Sequence, residues 1–147
     1  MVQFPPMPHE RFFRNATVLQ VVDGDTLDVE IDLGWSIWIT ERLRLEHVNT
    51  PEMRGDERDA GRWVTERVQD ELPAGTEVVV ASLIFDRNGR VRGKFGRTIA
   101  HLYRRADGWC LNQFLLDQKL AWETDDNGSL QSPRELALLT GLPAELR

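Results

Sequence analysis

Cysteine is almost absent from this sequence, since Cys110 is the only one among 147 residues. A single cysteine excludes an internal disulfide and any zinc site built from several cysteines, and it suits a reducing compartment. The first ten residues also lack the basic start and the apolar run of a secretory signal or a membrane span. We therefore expect a cytoplasmic protein that does not enter a membrane.

Repeats and low-complexity tracts are missing as well, and the composition is that of an ordinary globular protein. With 41% hydrophobic and 29% charged residues, the chain holds enough apolar material for one hydrophobic core. Its length of 147 residues is short for two domains. Pro5, Pro6 and Pro8 predict an extended N-terminal arm over residues 1–14. A single domain is expected over residues 15–147, and we expect it to be monomeric.

Negative charge outweighs positive charge overall, but the positive charge is concentrated in one segment. The net charge is -6, and yet residues 87–105 contain seven of the 18 lysines and arginines and no aspartate or glutamate. A basic segment on an acidic body can bind phosphate groups. The same composition fits a basic hairpin that only faces solvent.

Hydrophobic alternation predicts five short strands. Leu27, Val29 and Ile31 alternate with acidic residues after the Asp23-Gly24 turn, which is the pattern of a half-buried strand in a hairpin. By the same reasoning, we predict strands over residues 16–22, 27–33, 35–45, 76–85 and 94–104.

Three helices are predicted around these strands. Ala60, Val64 and Val68 fall at helical spacing, and residues 111–120 predict a second helix. Ser132-Pro133-Arg134-Glu135 is a capping box that predicts a third, short helix. The order of three strands, one helix, two strands and two helices matches an OB-fold. We therefore predict an α+β protein built on a five-stranded OB-fold barrel with flanking helices, a fold that commonly binds nucleic acids.

The end of the third predicted strand carries two charges that can do chemistry. Leu43 and Leu45 alternate with Arg44, so the guanidinium faces away from the core. Pro51 cannot donate to a sheet and places Glu52 on a loop just beyond the strand. On a rigid scaffold, such a carboxylate can take a proton from water beside a bound phosphate. Charges of this kind are also common on ordinary surfaces.

Three motifs, in this order, resemble the staphylococcal-nuclease-like (thermonuclease) family. They are Val22-Asp23-Gly24-Asp25-Thr26, the stretch from Arg44 through Thr50-Pro51-Glu52, and Lys94-Phe95-Gly96-Arg97. The resemblance extends from about residue 17 to residue 122. It implies a nuclease that hydrolyses phosphodiester bonds of DNA and RNA with little sequence preference, acting best on single-stranded or locally melted nucleic acid.

The resemblance also implies roles for individual residues. A Ca²⁺ ion would be bound by Asp25, the side chain of Asn49 and the carbonyl of Thr50. Glu52 would act as general base, while Arg44 and Arg97 bind the phosphate. The residues expected to contact the rest of the substrate are Arg92, Lys94 and Phe95. Oxygen ligands with no histidine or cysteine cluster nearby favour calcium or magnesium over zinc. Of these two, calcium better suits the irregular coordination that a turn carbonyl and an amide provide.

Two departures from the family pattern keep a second hypothesis open. Asn49 stands where the family has a second metal-binding carboxylate, and Phe95 stands where its best-known members have a tyrosine. The alternative is a catalytically inactive OB-fold module that binds single-stranded nucleic acid or a protein partner. Of the histidines, His101 is expected to be an ordinary strand residue. His47, near the Asn49 loop, has a better claim to a role than His101, as a neighbour that tunes Glu52, although an ordinary surface position is the commoner outcome for such a residue.

Overall fold

The computed structural model describes residues 11–83, without the side chain of Leu83, and residues 98–147. In chain order, its strands and α-helices are β1 (Arg11–Asp23), β2 (Thr26–Asp32), β3 (Trp38–Leu45), β4 (Val48–Asn49), α1 (Arg58–Glu71), β5 (Glu77–Leu83), β6 (Thr98–Arg104), α2 (Leu111–Asp117) and β7 (Trp122–Glu123). Short 3-10 helices cover Gly55–Glu57, Leu136–Leu138 and Ala144–Leu146.

Five of these strands form a closed barrel in the order β1-β2-β3-β6-β5, with β5 pairing back onto β1. All neighbours are antiparallel except β3 and β6, which run parallel where residues 43–45 pair with residues 98–100. The predicted α+β architecture is confirmed as a closed five-stranded mixed barrel with two α-helices. Strands β4 and β7, which hydrophobic alternation did not predict, form a separate two-stranded sheet. Neither α-helix of the described chain is long and apolar enough to cross a bilayer.

The barrel core follows the alternation seen in the sequence. Leu27 and Val29 are fully buried and Ile31 nearly so, whereas the acidic residues between them lie at the surface or only partly inside. Helix α1 packs against β1 and buries Val64 and Val68 completely. The buried residues of the strands and of the helix form one apolar cluster. Burial of each aliphatic side chain of this size contributes about 1.5–3 kcal/mol, and this packing holds the strands and the helix together.

Two strands begin at positions different from those predicted. β1 starts at Arg11, so residues 11–14, which were expected in the arm, pair with β5 instead. β3 starts at Trp38 because Gly34, Trp35 and Ser36 have positive φ angles of 81°, 51° and 60° and form a turn. Trp35 is consequently 93% exposed rather than packed in a strand.

The predicted third helix is wrong. The segment forms only the 3-10 helix at Leu136–Leu138, and the side chain of Glu135 makes no capping hydrogen bond. The indole of Trp122 donates a hydrogen bond of 3.2 Å to the carbonyl of Glu135. In the expected helix, this carbonyl would instead accept a backbone hydrogen bond of the first turn. Leu139 and Leu142 are each 2% exposed, so this segment is stabilised by packing on the core rather than by helical hydrogen bonds.

A glycine in α1 determines where the loop after β4 can lie. A Cβ atom at Gly61 would overlap the carbonyl of Glu52 and come within 2.8 Å of the carbonyl of Pro51. Gly24 permits a second close approach, because a Cβ atom there would lie 2.8 Å from Oγ1 of Thr50. The loop is therefore packed against α1 and against the β1–β2 turn at distances that only glycine allows.

We predict that Gly61→Ala lowers the free energy of unfolding by about 1–3 kcal/mol, the usual cost of overpacking. The direction is informative because alanine is intrinsically the better helix former by about 1 kcal/mol. Urea unfolding measures the effect, with Glu66→Ala on the exposed face of the same helix as the control. A Gly61→Ala protein as stable as the wild type would contradict the close packing of the loop.

Candidate functional site

A cavity of about 190 Å³ opens where the β1–β2 turn, the end of β3 and the loop after β4 meet. The predicted site residues among those that line it are Asp25, Arg44, Asn49, Thr50 and Glu52. Asp23 and Pro51 complete the lining. The structure thus brings together candidate residues from three parts of the chain. The remaining predicted site residues, Arg92, Lys94, Phe95 and Arg97, lie outside the described residues.

Arg44 is held at the wall of the cavity by backbone carbonyls. Its Nη1 donates hydrogen bonds to the carbonyls of Leu45 at 3.0 Å and Val48 at 2.8 Å. Its Nη2 lies 3.3 Å from Oδ2 of Asp25. Within the described residues, these contacts leave the Nε–H of Arg44 without a partner. A fixed guanidinium with an unpaired N–H edge can bind an anion such as a phosphate oxygen.

Asp25 connects the three segments that form the cavity. Its carboxylate is buried, and Oδ2 accepts the backbone N–H of Thr50 at 2.9 Å. Oδ1 accepts the hydroxyl of Thr26 at 3.2 Å, and the backbone carbonyl accepts the N–H of Leu45 at 2.9 Å. Because a buried carboxylate is costly unless it is paired, Asp25 holds Arg44 and Thr50 in position.

Asp23 keeps its proton to a higher pH than a free aspartate. Burial, and then the neighbouring charge of Asp25, raise the pKa of Asp23 from 3.8 to about 7. Its Oδ1 accepts the backbone N–H of Asp25 at 3.1 Å, a contact that both protonation states allow. Near neutral pH, the cavity therefore carries less negative charge than three ionised carboxyl groups would give it.

Glu52 stands at the open side of the cavity. Its side chain is 53% exposed, and Oε1 lies 3.7 Å from Nη2 of Arg134. Its backbone N–H donates a hydrogen bond of 2.8 Å to Oε1 of Glu57, which anchors the loop to the turn that precedes α1. The carboxylate thus meets both solvent and cavity, as a group that activates water must.

Arg134, which the sequence pattern placed in a helix cap, binds residues on both sides of the Glu52 loop. Its Nη1 donates to Oδ1 of Asn49 at 2.9 Å, and its Nη2 donates to Oε1 of Glu57 at 2.6 Å and to the carbonyl of Thr50 at 3.4 Å. The guanidinium also stacks 4.5 Å above the ring of Trp122. The sequence carries no local signal for these contacts, because 85 positions separate Arg134 from Asn49.

The oxygens expected to bind calcium are close together, but Arg134 competes for them. Both Oδ1 of Asn49 and the carbonyl of Thr50 accept hydrogen bonds from Arg134. Oδ2 of Asp25 accepts the Thr50 N–H and faces Arg44. A divalent cation and a guanidinium repel each other at such distances, so these residues do not fit a calcium ion while Arg134 is in place. Calcium binding stays a prediction from the resemblance.

Two histidines and a glutamate form a cluster near this part of the chain, whereas we expected no histidine cluster there. The ligand atoms of Glu46, His47 and His101 lie within 4.8 Å of one another. Leu45 pairs with Ala100 across the parallel strands, and this register places the next residues, Glu46 and His101, side by side. The order of strands in an OB-fold predicts that these two strands are neighbours, but not the register that brings Glu46 beside His101.

We predict that Asp23 makes the protein less stable as the pH rises from about 4 to about 7. The folded state keeps a proton on Asp23 up to about pH 7, whereas the unfolded state releases it near the ordinary value of 3.8. In urea unfolding at several pH values, the stability of wild type relative to Asp23→Asn should fall across this window. Asp28→Asn is the control. It keeps Asp23, and the pKa of Asp28 is lowered rather than raised, by the hydrogen bond from Arg42. The stability of Asp28→Asn relative to Asp23→Asn should therefore fall across the same window. A constant difference between wild type and Asp23→Asn would refute the raised pKa.

We predict that Arg134→Gln increases calcium affinity by about tenfold or more, or about 1.4 kcal/mol. The change frees the oxygens of Asn49 and Thr50 and removes a nearby positive charge. Calorimetric calcium titration measures it, with circular dichroism to check the fold. Arg58→Gln removes a charge from the start of α1, where Arg58 pairs only with the exposed Asp59 among the described residues, and serves as the matched control. Equal affinities of wild type and Arg134→Gln would show that Arg134 does not compete with a cation.

No protein-family model matches this chain, and no curated protein matches it. The thermonuclease resemblance therefore stays a prediction, and the function has to be argued from the site itself.

Proposed function

We propose that the protein is a nuclease that hydrolyses phosphodiester bonds of DNA and RNA with little sequence specificity. The observation that carries the proposal is the position of Glu52 and Arg44 on one cavity at the rim of an OB-like barrel. A phosphodiester repels nucleophiles through its own negative charge. A catalytic site therefore needs positive groups around the phosphate and a base beside the attacking water.

In this proposal, Arg44 binds the phosphate and Glu52 activates water. The water oxygen forms a bond to phosphorus as the ester P–O bond breaks, Glu52 takes a proton from the water, and the leaving oxygen takes a proton from solvent. The contacts of Arg44 with two carbonyls and with Asp25 support this role. A guanidinium already held in position needs little reorganisation when charge develops on the phosphate.

Further positive charge is required at the cavity. Asp23, Asp25 and Glu52 contribute three carboxyl groups against the guanidinium of Arg44. Arg134 lies 3.7 Å from Glu52 and supplies one additional positive charge. By the resemblance, Arg97 supplies another and Arg92, Lys94 and Phe95 contact the substrate. Calcium would polarise the phosphate if it bound, but we assign no step to it because Arg134 engages two of its expected ligands.

The proposed partners follow from the same chemistry. Each proposed contact involves phosphate, and none reads the edge of a base, so DNA and RNA are both substrates and sequence preference is low. By the resemblance, single-stranded or locally melted nucleic acid is the preferred substrate. We further propose that the enzyme is a cytoplasmic monomer, in keeping with its single cysteine.

A second candidate function is binding of single-stranded nucleic acid without cleavage. Phe13, Arg14 and Trp35 line a separate groove of about 490 Å³, and Phe13 and Trp35 are 59% and 93% exposed. Bases stack on exposed aromatic rings with about 1–3 kcal/mol each, whatever their identity. Tight binding of labelled single-stranded DNA by pure protein, with no cleavage under any metal condition, would favour this function.

We predict that Glu52→Gln lowers turnover of labelled single-stranded DNA by about 10² to 10⁴, the usual contribution of a general base. Glutamine keeps the size of the side chain but cannot accept the proton, so folding and DNA affinity should be unchanged. Cleavage is followed by gel electrophoresis, and affinity by fluorescence anisotropy. Glu66→Gln, on the exposed face of α1, is the matched control and should cleave like wild type. A loss of less than tenfold in Glu52→Gln would remove Glu52 from the role of base.

A further inference from the structure

A second group of ionisable side chains lies at the β3–β4 turn, and none of its members lines the cavity. Glu46 and His47 form this turn, and His101 lies on β6. Asp126, in the turn after β7, reaches the same place with Oδ1 at 3.3 Å from Nε2 of His47. These residues come from three separate segments of the chain, and the proposed nuclease activity uses none of them.

The spacing of these groups matches that of ligands around one ion. Nε2 of His101 lies 3.1 Å from Oε2 of Glu46, and Nε2 of His47 lies 3.5 Å from Oε1 of the same carboxylate. Ligands at about 2.0–2.1 Å from a tetrahedral zinc ion are separated by roughly 3.3 Å. An ion between the imidazoles and the carboxylate therefore requires only small side-chain movements.

The orientation of His47 is set by a residue outside the cluster. Nδ1 of His47 lies 3.2 Å from the carbonyl of Thr124, and the N–H of Thr124 donates to the carbonyl of His47 at 2.8 Å. A carbonyl only accepts, so Nδ1 carries the proton and Nε2 faces the carboxylates of Glu46 and Asp126. A lone pair facing two carboxylates is repelled unless a second proton or a metal ion lies between them.

The backbone of His47 is also held in an unusual conformation. Its φ angle is +68°, a left-handed conformation that is uncommon for residues other than glycine. Such a conformation persists only where the surroundings enforce it, and it often marks a functional position. Here the two contacts with Thr124 enforce it, and the ring is aimed at Glu46 as a result.

Glu46 supplies a buried oxygen ligand. The residue is 8% exposed, and its Oε2 has no aligned hydrogen bond in the described part of the chain. Nη1 of Arg11 lies 2.7 Å from Oε2, so an ion either displaces this guanidinium from Oε2 or binds through Oε1, which lies 3.5 Å from Nε2 of His47.

We propose that Glu46, His47 and His101 bind a divalent transition-metal ion of the zinc class. Two imidazoles and one carboxylate form a ligand set that suits zinc and its first-row neighbours, whereas calcium and magnesium prefer oxygen alone. Asp126 or water completes the coordination. The bound ion joins the β3–β4 turn to β6 and to the turn after β7.

Calorimetric titration of metal-free protein with Zn²⁺ tests this site. One ion should bind per chain, and a large excess of Ca²⁺ should not displace it. His47→Ala and His101→Ala should each weaken binding by about 100-fold, at or above the upper range for changes next to a metal ligand. Glu46→Gln removes the carboxylate ligand and should also weaken binding. Its matched control is Glu66→Gln, which changes an exposed carboxylate on α1 and should bind like wild type. Absence of binding, or unchanged affinity in both histidine variants, would overturn the proposal.

Cobalt provides a measurement that does not depend on a variant folding correctly. Wild type titrated with Co²⁺ should develop visible absorption bands of a site with nitrogen and oxygen ligands, and Zn²⁺ should abolish them. Histidine side-chain NMR signals of two residues should shift in the same titration. A colourless titration, or shifts that follow no single saturation curve, would also overturn the proposal. Neither experiment involves nucleic acid, so the result is independent of the proposed nuclease activity.

Discussion

The buried carboxylate of Asp25 is the interaction on which the candidate site depends. It is 6% exposed, and a charge at that depth costs several kcal/mol unless it is paired and hydrogen-bonded. The backbone N–H of Thr50 and the guanidinium of Arg44 provide that pairing. The requirement to neutralise one buried charge thus positions both Arg44, which we propose to bind phosphate, and the loop that presents Glu52.

Much of the barrel could be predicted because its strands have local signals. Leu27, Val29 and Ile31 alternate with acidic residues, and this pattern alone locates β2 and its buried face. Errors arose where tertiary contacts override local preference. The apolar stretch after Gly34 resembles a strand, yet positive φ angles make it a turn. The segment after Pro133 resembles a helix, yet Trp122 binds a carbonyl at its start.

The candidate site could be predicted only to the extent that its residues lie near strand ends and turns. Asp25, Arg44 and Glu52 met that condition, and the structure places all three on one cavity. Arg134 did not, because its partners are distant in sequence and it lies beside a misleading capping motif. The pairing of Glu46 with His101 depends on the register of two parallel strands, which alternation within one strand cannot reveal.

The parallel pairing of β3 with β6 also has a consequence for folding. It joins strands from opposite halves of the chain and includes Arg44 itself, which pairs with Ile99. Contacts so distant in sequence form only after the entropy of closing a long loop has been overcome, so they are expected late in folding. A chain that has formed only the β1–β3 meander contains Asp25 and Arg44 but not the closed barrel around them. The proposed activity should therefore emerge with the final closure and not with the first compact intermediate.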